Sequence, residues 1–256
     1  IKVLYKGNLL VMIKKDWEVE GSKFIKGSVL AIKATVAKTS RVKKNDIQVI
    51  MVPTKTMSIQ SVSKSKDKIV IGAMDNIRGK IYKVLFNNGK FSKPILLKIK
   101  SDGNIKLAGT NRDSNLITFF DEGFLKPSSL NLYNLDKDSI TKLKSLTPKF
   151  DTTGMIVEQR WSTSKDGTKI PYFILGKKDV INSGIAPTLL YGYGGFNISM
   201  KPFYSATIGK LWLERGGVFV LANIRGGGEF GPSWHQAATL KNKRKSYEDF
   251  ISVAEH

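Results

Sequence analysis

The 256-residue chain is long enough for two domains, since a domain typically takes roughly 150 residues, and its 41% hydrophobic content excludes general disorder. The absence of cysteine excludes disulfides, thiolate metal sites and a cysteine nucleophile, and no apolar run approaches the roughly 18 residues of a membrane span. The net charge of +21 does not indicate nucleic-acid binding, because the lysines are scattered singly and only seven of the 42 basic residues are arginine.

The first part of the chain, up to about Phe150, reads as a succession of short strands. Apolar-alternating runs are separated by turn signals such as Asn87-Asn88-Gly89, and no convincing helix interrupts them. The predicted strands are Leu9–Ile13, Val29–Ile32, Ile47–Val52, Ile69–Gly72, Ile81–Phe86, Ile117–Phe120 and Leu130–Leu135. About 150 residues of this kind fit a sandwich, a barrel or roughly three four-stranded propeller blades, and periodicity does not choose among them.

The second part has a different pattern of strands. Val157–Thr163 and Ile170–Leu175 flank Lys165-Asp166-Gly167-Thr168, which predicts a hairpin. Ala186–Tyr191 and Gly217–Asn223 are near-continuous apolar runs, which are typical of strands buried on both faces.

Helices are predicted only in this second part. Apolar side chains recur at helical spacing in Ser205–Arg215 and again in Lys243–His256. A change from all-β to α/β character near Thr147–Asp151 predicts two domains. In open α/β sheets ligands bind at the carboxyl ends of the strands, so the glycine-rich segments that follow both apolar runs are candidate site loops.

The first of these loops, Gly192–Phe196, has two interpretations. Its glycines would let backbone N–H groups approach an anionic oxygen, as in an oxyanion site, or would simply permit a tight turn after the strand. A dinucleotide fingerprint is disfavoured, because Asn197 stands where that motif has its third glycine.

The second loop, Gly226–Gly231, lacks the Lys-Ser/Thr that follows a phosphate-binding P-loop, so packing against its neighbours is the favoured interpretation. The next residues, Gly231-Pro232-Ser233-Trp234-His235, match a nucleophile elbow only at their first three positions. A loop histidine such as His235 is more often bonded to backbone than catalytic. The only other histidine is His256, so the sequence offers no complete catalytic constellation and too few grouped ligands for a metal.

Several segments together resemble the prolyl oligopeptidase family of serine peptidases. The match is dense and ordered from about residue 160 onward, and weaker similarity extends over nearly the whole chain. The segments that carry it are Pro127–Leu130, Ser164–Pro171, Tyr191–Phe196, Glu214–Val218, Ala222–Gly231, Trp234-His235 and Tyr247–Phe250.

The resemblance implies a mixed fold: the C-terminal blades of a β-propeller over residues 1–148, followed by the N-terminal part of an α/β-hydrolase peptidase domain over 149–256. It implies hydrolysis of short, proline-containing peptides through an acyl-enzyme, without a cofactor. By the family's arrangement, the hydroxyl of Tyr193 would bind the oxyanion and Phe196 would line the substrate pocket. Short peptides are then the expected partners, with no nucleic acid or membrane, and the lack of cysteine suits a cytoplasmic location.

One departure from the family pattern limits these expectations. The Gly-Gly-Ser-x-Gly-Gly elbow and the catalytic Asp and His would follow the segment that matches Tyr247–His256, and they are absent from this sequence. We therefore expect a piece of a longer enzyme that is inactive alone, unless a complementary chain carries the rest of the hydrolase domain. The alternative is a non-catalytic, basic propeller-type remnant that binds a peptide or another partner.

Overall fold

The computed structural model describes residues 2–37, 39, 41–101 and 103–256, which divide into two compact units. The first unit contains the chain up to Ser101 together with Ile105–Asp121 and Leu130–Lys144, and the second contains Glu122–Ser129 and Ser145–His256. Within the described residues, no helix has both the length and the apolar character needed to cross a membrane.

The first unit is built almost entirely from short strands. Its elements are β1 (Lys2–Tyr5), β2 (Asn8–Met12), β3 (Trp17–Val19), β4 (Ser22–Phe24), β5 (Val29–Lys33), α1 (Ala34–Ala37), β6 (Ile47–Met51), β7 (Met57–Lys64), β8 (Lys68–Asp75), β9 (Arg78–Asn87), β10 (Lys90–Phe91), β11 (Ile95–Leu96), β12 (Asn104–Thr110), β13 (Leu116–Glu122), β14 (Ser129–Asn134) and β15 (Ser139–Ser145). They form one sheet of order β1-β2-β5-β6, a second of order β10-β9-β8-β7 with β11 beside β9, and a third of order β12-β13-β14-β15. The hairpin of β3 and β4 is separate.

Strand β8 shows why these sheets stack. Successive side chains of a strand point to opposite faces. Ile69 and Ile71 lie in one buried cluster with Val29 of the first sheet, whereas Val70 lies in another with Ile117 of the third. Apolar residues on both faces thus bury the middle sheet between its two neighbours.

The second unit contains a four-stranded mixed sheet and most of the helices. Its elements are β16 (Met155–Thr163), β17 (Lys169–Lys177), α2 (Lys178–Ser183), β18 (Thr188–Gly192), α3 (Ala206–Ile208), β19 (Val218–Ala222), α4 (Pro232–Gln236) and α5 (Arg244–Glu255). The strand order is β16-β17-β19-β18, with β18 and β19 parallel and the other neighbours antiparallel.

The sequence-based elements of this unit meet the structure with one error. The predicted hairpin is present as β16 and β17, with Thr163 opposite Lys169. The apolar run Gly217–Asn223 contains the fully buried strand β19, but the burial predicted for Ala186–Tyr191 is not observed within these 256 residues. Strand β18 is the terminal strand of the four, and its Leu189 and Tyr191 are 44% and 43% exposed. An apolar run is compatible with both a central and an edge strand, and the pairing partners decide between them.

Both predicted helices are present, with changed bounds. Within Ser205–Arg215, the hydroxyl of Ser205 accepts the N–H of Ile208 and starts α3, which continues as a π-helical turn over Gly209–Leu213. The predicted helix Lys243–His256 is observed as α5. Short helices α2 and α4 lack a long periodic apolar stripe and were not predicted.

Candidate functional site

The two candidate loops begin side by side at one edge of the mixed sheet. Strands β18 and β19 run parallel, with Gly192 opposite Ala222, so the segments that follow them leave the sheet at neighbouring points. This is the carboxyl edge, where α/β sheets bind their ligands. The structure therefore brings together Tyr193–Phe196 and Asn223–Gly231, as their positions in the sequence predicted.

Tyr193 follows β18 directly and is 41% exposed. Among the described residues, none hydrogen-bonds its hydroxyl group. A phenol in this state can donate a hydrogen bond to a ligand that approaches the carboxyl edge of the sheet. The loop backbone on either side determines where that donor lies.

The two loops touch through their backbones at Gly194 and Gly226. A Cβ atom on Gly226 would lie 2.2 Å from the carbonyl oxygen of Gly194, and one on Gly194 would lie 2.5 Å from the side chain of Ile224. Both glycines also have positive φ, +57° at Gly194 and +98° at Gly226. No larger residue fits this contact without displacing one loop from the other, which explains the glycines at both positions.

Beyond Gly195, the first loop turns back towards solvent. Phe196 and Asn197 both have positive φ, 51° and 57°, a conformation that is uncommon for residues with side chains. The side chain of Phe196 is 85% exposed. The turn thus presents an aromatic ring to solvent three residues after Tyr193.

His235 of α4 holds this turn in place. Its Nδ1 lies 3.1 Å from the backbone nitrogen of Asn197 and 2.6 Å from the carbonyl oxygen of Gly226. The N–H of Asn197 donates to the same oxygen at 3.3 Å. The histidine therefore contacts the strained turn directly at Asn197, and both also contact the carbonyl oxygen of Gly226 in the second loop.

A buried ion-pair network lies beneath the second loop. Arg225 donates to both carboxylate oxygens of Asp249, which is fully buried on α5, and to Asp166 in the β16–β17 turn. Its Nη2 also reaches the hydroxyl of Ser164. The hydrogen bond to Asp249 raises the pKa of Arg225, and the bond from Arg225 holds the pKa of Asp166 well below its usual range. Arg225 and Asp166 therefore both remain charged in the folded unit.

Glu229 is a second buried charge-bearing group of this loop. One of its carboxylate oxygens accepts the N–H of Met200 at 2.9 Å, and the side-chain amide of Asn223 donates to the carbonyl of Met200 at 2.7 Å. Burial raises the pKa of Glu229 to about 7. Glu229 and Asn223 thus bind both sides of one backbone position in the segment that continues the first loop.

The sequence indicated some of these roles and missed others. Arg225, Glu229 and Asp249 lie in the segments that carry the family resemblance, but their pairing was not predicted. Lys243, whose ammonium lies 2.5 Å from the carbonyl oxygen of Gly194, was seen only as the first residue of a helix. A lysine one turn before a buried serine gives no signal of its partner until the helix is placed against the loop.

Comparison with known proteins identifies the family. Residues 204–256 match the model of the prolyl oligopeptidase family. Over 98% of its length the chain is 39% identical to an uncharacterized peptidase of Sinorhizobium fredii, of which it covers 34%. It is also 36% identical, over 169 residues, to a prolyl endopeptidase of Elizabethkingia meningoseptica, a match of 66% of this chain and 24% of that protein. The chain belongs to the prolyl oligopeptidase family.

Solved structures agree with this prolyl oligopeptidase relationship. A post-proline cleaving enzyme from Rickettsia typhi superposes with a TM-score of 0.86 at 29% identity, over 98% of this chain and 36% of that one. A prolyl endopeptidase structure superposes with a TM-score of 0.82 at 26% identity, over the whole of this chain and 35% of that one. The chain thus spans about a third of the length of the family members that it matches.

Ser233 and His235 do not form a pair of nucleophile and general base in this prolyl oligopeptidase-family chain. Ser233 is exposed in the five-residue helix α4, and no buried strand leads into it as in a nucleophile elbow. His235 lies on helix α4 and not in a loop as the sequence predicted, and its ring contacts the backbone carbonyl of Gly226. The resemblance of Gly231-Pro232-Ser233 to an elbow therefore has no structural counterpart.

Proposed function

We propose that this chain is part of a serine peptidase that hydrolyses short, proline-containing peptides through an acyl-enzyme, and that Tyr193 supplies a hydrogen bond to the oxyanion. In this proposal residues 1–148 are the C-terminal blades of a β-propeller, and 149–256 open an α/β-hydrolase domain. Family membership supports a peptidase. The single observation that supports the role of Tyr193 is its exposed phenol beside a fixed glycine-rich loop at the carboxyl edge of the sheet.

The chemistry of peptide cleavage explains what such a phenol contributes. Attack of a serine hydroxyl on the scissile carbonyl forms a tetrahedral intermediate, whose negative charge lies on one oxygen. A donor fixed in advance at that oxygen stabilises the transition state more than the bound substrate, so it raises kcat. The backbone contacts of Gly194 and Gly226 supply the fixation.

The role proposed for Phe196 is contact with the substrate. Its ring is exposed, and its strained backbone is held by the bond of Asn197 to Gly226. An aromatic side chain held in solvent gives an apolar surface against which a peptide side chain can pack. The proposal places this surface beside the oxyanion donor.

The nucleophile, the acid and the general base of the proposed enzyme come from outside these residues. The 256 residues contain no Gly-x-Ser-x-Gly sequence, and His235 is engaged with backbone. The segment that carries these catalytic groups would be encoded in the same reading frame or supplied by a complementary chain. The 256-residue chain by itself is then expected not to hydrolyse peptides.

A tyrosine-to-phenylalanine change tests the proposal in the protein encoded by the whole reading frame that contains this chain. With a fluorogenic proline-containing peptide, Tyr193→Phe is expected to lower kcat about 10²- to 10³-fold with little change in KM, the usual effect of losing one oxyanion donor. Tyr191→Phe is the matched control, because Tyr191 is equally exposed two residues earlier on β18. Equal activity of the Tyr193 and Tyr191 variants would reject the role of the phenol.

A further inference from the structure

We infer that Lys243 is a positioning residue for Tyr193, acting through the peptide group of Gly194. The inference rests on the proposed function for the purpose of the loop, and on the geometry alone for the contact. Lys243 lies immediately before α5, whereas Tyr193 follows β18, so one side chain ties the last helix to the candidate oxyanion loop.

The contact is short and made inside the unit. The Lys243 ammonium lies 2.5 Å from the carbonyl oxygen of Gly194 and 3.1 Å from the hydroxyl of Ser246, which is 1% exposed. A charged donor to a carbonyl forms a stronger hydrogen bond than a neutral one. The three donor positions of the ammonium allow both bonds at once.

Ser246 does not replace Lys243 as the donor to Gly194. Its hydroxyl lies 2.7 Å from the carbonyl oxygen of Arg225 but 3.5 Å from that of Gly194. A serine hydroxyl has one proton, and the shorter contact takes it. The carbonyl of Gly194 therefore depends on Lys243, and without the lysine it would be left buried against Gly226 with no strong donor.

The orientation of this carbonyl matters because Gly194 has no side chain to fix its backbone. With φ at +57° and another glycine next to it, the peptide group between residues 194 and 195 has more freedom than most. In a trans peptide the C=O and N–H point in opposite directions, so holding the C=O of Gly194 also sets the N–H of Gly195. The contact therefore restricts ψ of Gly194 and φ of Gly195, and so limits the path of the loop directly after Tyr193.

The structural effect of replacing Lys243 should be confined to the loop at Gly194, because other contacts hold α5 in place. Asp249 remains paired with Arg225, and Ser252 remains bonded to Ser162 of β16. On the far side of the loop, the bond of Asn197 to Gly226 remains. A variant at Lys243 thus frees the peptide at Gly194 in a unit that is otherwise assembled.

The direct test is ¹⁹F NMR of the 256-residue chain labelled with 3-fluorotyrosine, with the Tyr193 signal assigned by Tyr193→Phe. Lys243→Met is expected to shift or broaden the Tyr193 signal by more than its linewidth, and Lys243→Arg to restore it. The Tyr247 signal should move too, because the lysine lies over that ring, while the other six tyrosines stay unchanged and report an intact fold. Lys241→Met, an exposed lysine two residues earlier, is the matched control.

An unmoved Tyr193 signal in Lys243→Met, or an equal shift in Lys241→Met, would overturn the inference. If Lys243→Met does not fold, Lys243→Gln serves as the test variant, because it keeps a donor and loses the charge. In the active protein of the whole reading frame, Lys243→Met should lower kcat about tenfold to a hundredfold with KM little changed, and Lys243→Arg should recover it. A ¹⁹F shift in Lys243→Met together with full activity in Tyr193→Phe would reject the proposed function and keep the positioning contact.

Discussion

At the scale of single residues, Glu229 is the group whose protonation state matters most in the candidate site. It is a carboxyl group with 1% exposure, and the bond that it accepts from Met200 is one of two that hold this backbone position. Burial disfavours its charged form, which raises its pKa to about 7. The folded state is therefore more stable when the carboxyl group of Glu229 is protonated than when it is charged.

This leads to a prediction for stability against pH. The folded-state pKa of Glu229 lies above the ordinary glutamate value of 4.5, so the folded state binds the proton more tightly than the unfolded state does. Stability should fall as pH rises from about 4.5 to about 7, by on the order of 3 kcal/mol, and remain level above that range. Glu229→Gln should lack this decline in urea unfolding measured at pH 5 and pH 8.

The control for this prediction is Glu255→Gln, because Glu255 is an exposed glutamate of the same unit. It should show the same decline between pH 5 and pH 8 as the unaltered chain. If Glu229→Gln and Glu255→Gln lose equal stability over this interval, the buried carboxyl is not the source of the pH dependence.

At the scale of elements, helix α5 is attached to the sheet through polar contacts. Asp249 binds Arg225, Ser246 binds the backbone of Arg225, and Ser252 lies 2.9 Å from Ser162 of β16. Val253 adds an apolar contact in the cluster that includes Ile170. Hydrogen bonds and an ion pair from the short polar side chains of α5 thus position the helix, in addition to apolar packing.

Removing the charge of Asp249 should loosen this attachment strongly. Among the described residues, Asp249→Asn leaves the buried guanidinium of Arg225 with the partly exposed Asp166 as its one ionic partner. Loss of one member of a buried ion pair typically costs about 3–5 kcal/mol. Chemical denaturation should show this loss, and Asp179→Asn, at an exposed position of α2, should cost less than about 1 kcal/mol. A loss in Asp249→Asn no larger than that of Asp179→Asn would contradict the account.

The elements also show where sequence patterns were sufficient. Apolar alternation placed β8, β9 and β13 within a few residues, because each has a face in a buried cluster. At β18 an apolar run predicts burial, but the strand has one partner among the described residues of this chain, which spans about a third of its relatives' length. The order of strands in a sheet depends on contacts between distant parts of the chain, so it cannot be predicted from one local run of residues.

The same limit applies to the candidate site. Tyr193 and Phe196 could be proposed from the sequence because their motif is contiguous and resembles that of a known family. The contacts of Lys243 with Gly194 and of Glu229 with Met200 join residues that are 49 and 29 positions apart. Lysine and glutamate are common on surfaces, so their burial and partners became visible only in the folded unit.

At the scale of the whole molecule, the excess of positive charge lies mainly in the first part. Residues 1–150 contain 29 Lys and Arg against 12 Asp and Glu, and residues 151–256 contain 13 against 9. Two of these lysines are largely buried and paired, Lys68 with Asp136 and Lys83 with Asp138. Strand β15 has every residue exposed, including Lys142 and Lys144. These four lysines form buried ion pairs or lie on the solvent-exposed surface.

The second unit contains every residue that we assign to the peptidase site. Tyr193, Phe196, Glu229 and Lys243 all lie between residues 145 and 256. The chain covers about a third of its relatives' length, and a serine in an elbow is not among its residues. We therefore propose that this chain supplies oxyanion binding and that a segment outside it supplies the nucleophile.

Labelling with a fluorophosphonate probe tests that division most directly. The probe is applied to the 256-residue chain and to the product of the whole reading frame, and the modified serine is located by peptide mass spectrometry. We expect no labelling of the 256-residue chain, and labelling of one serine outside these residues in the longer product. Modification of a serine within the 256 residues, Ser233 included, would contradict it.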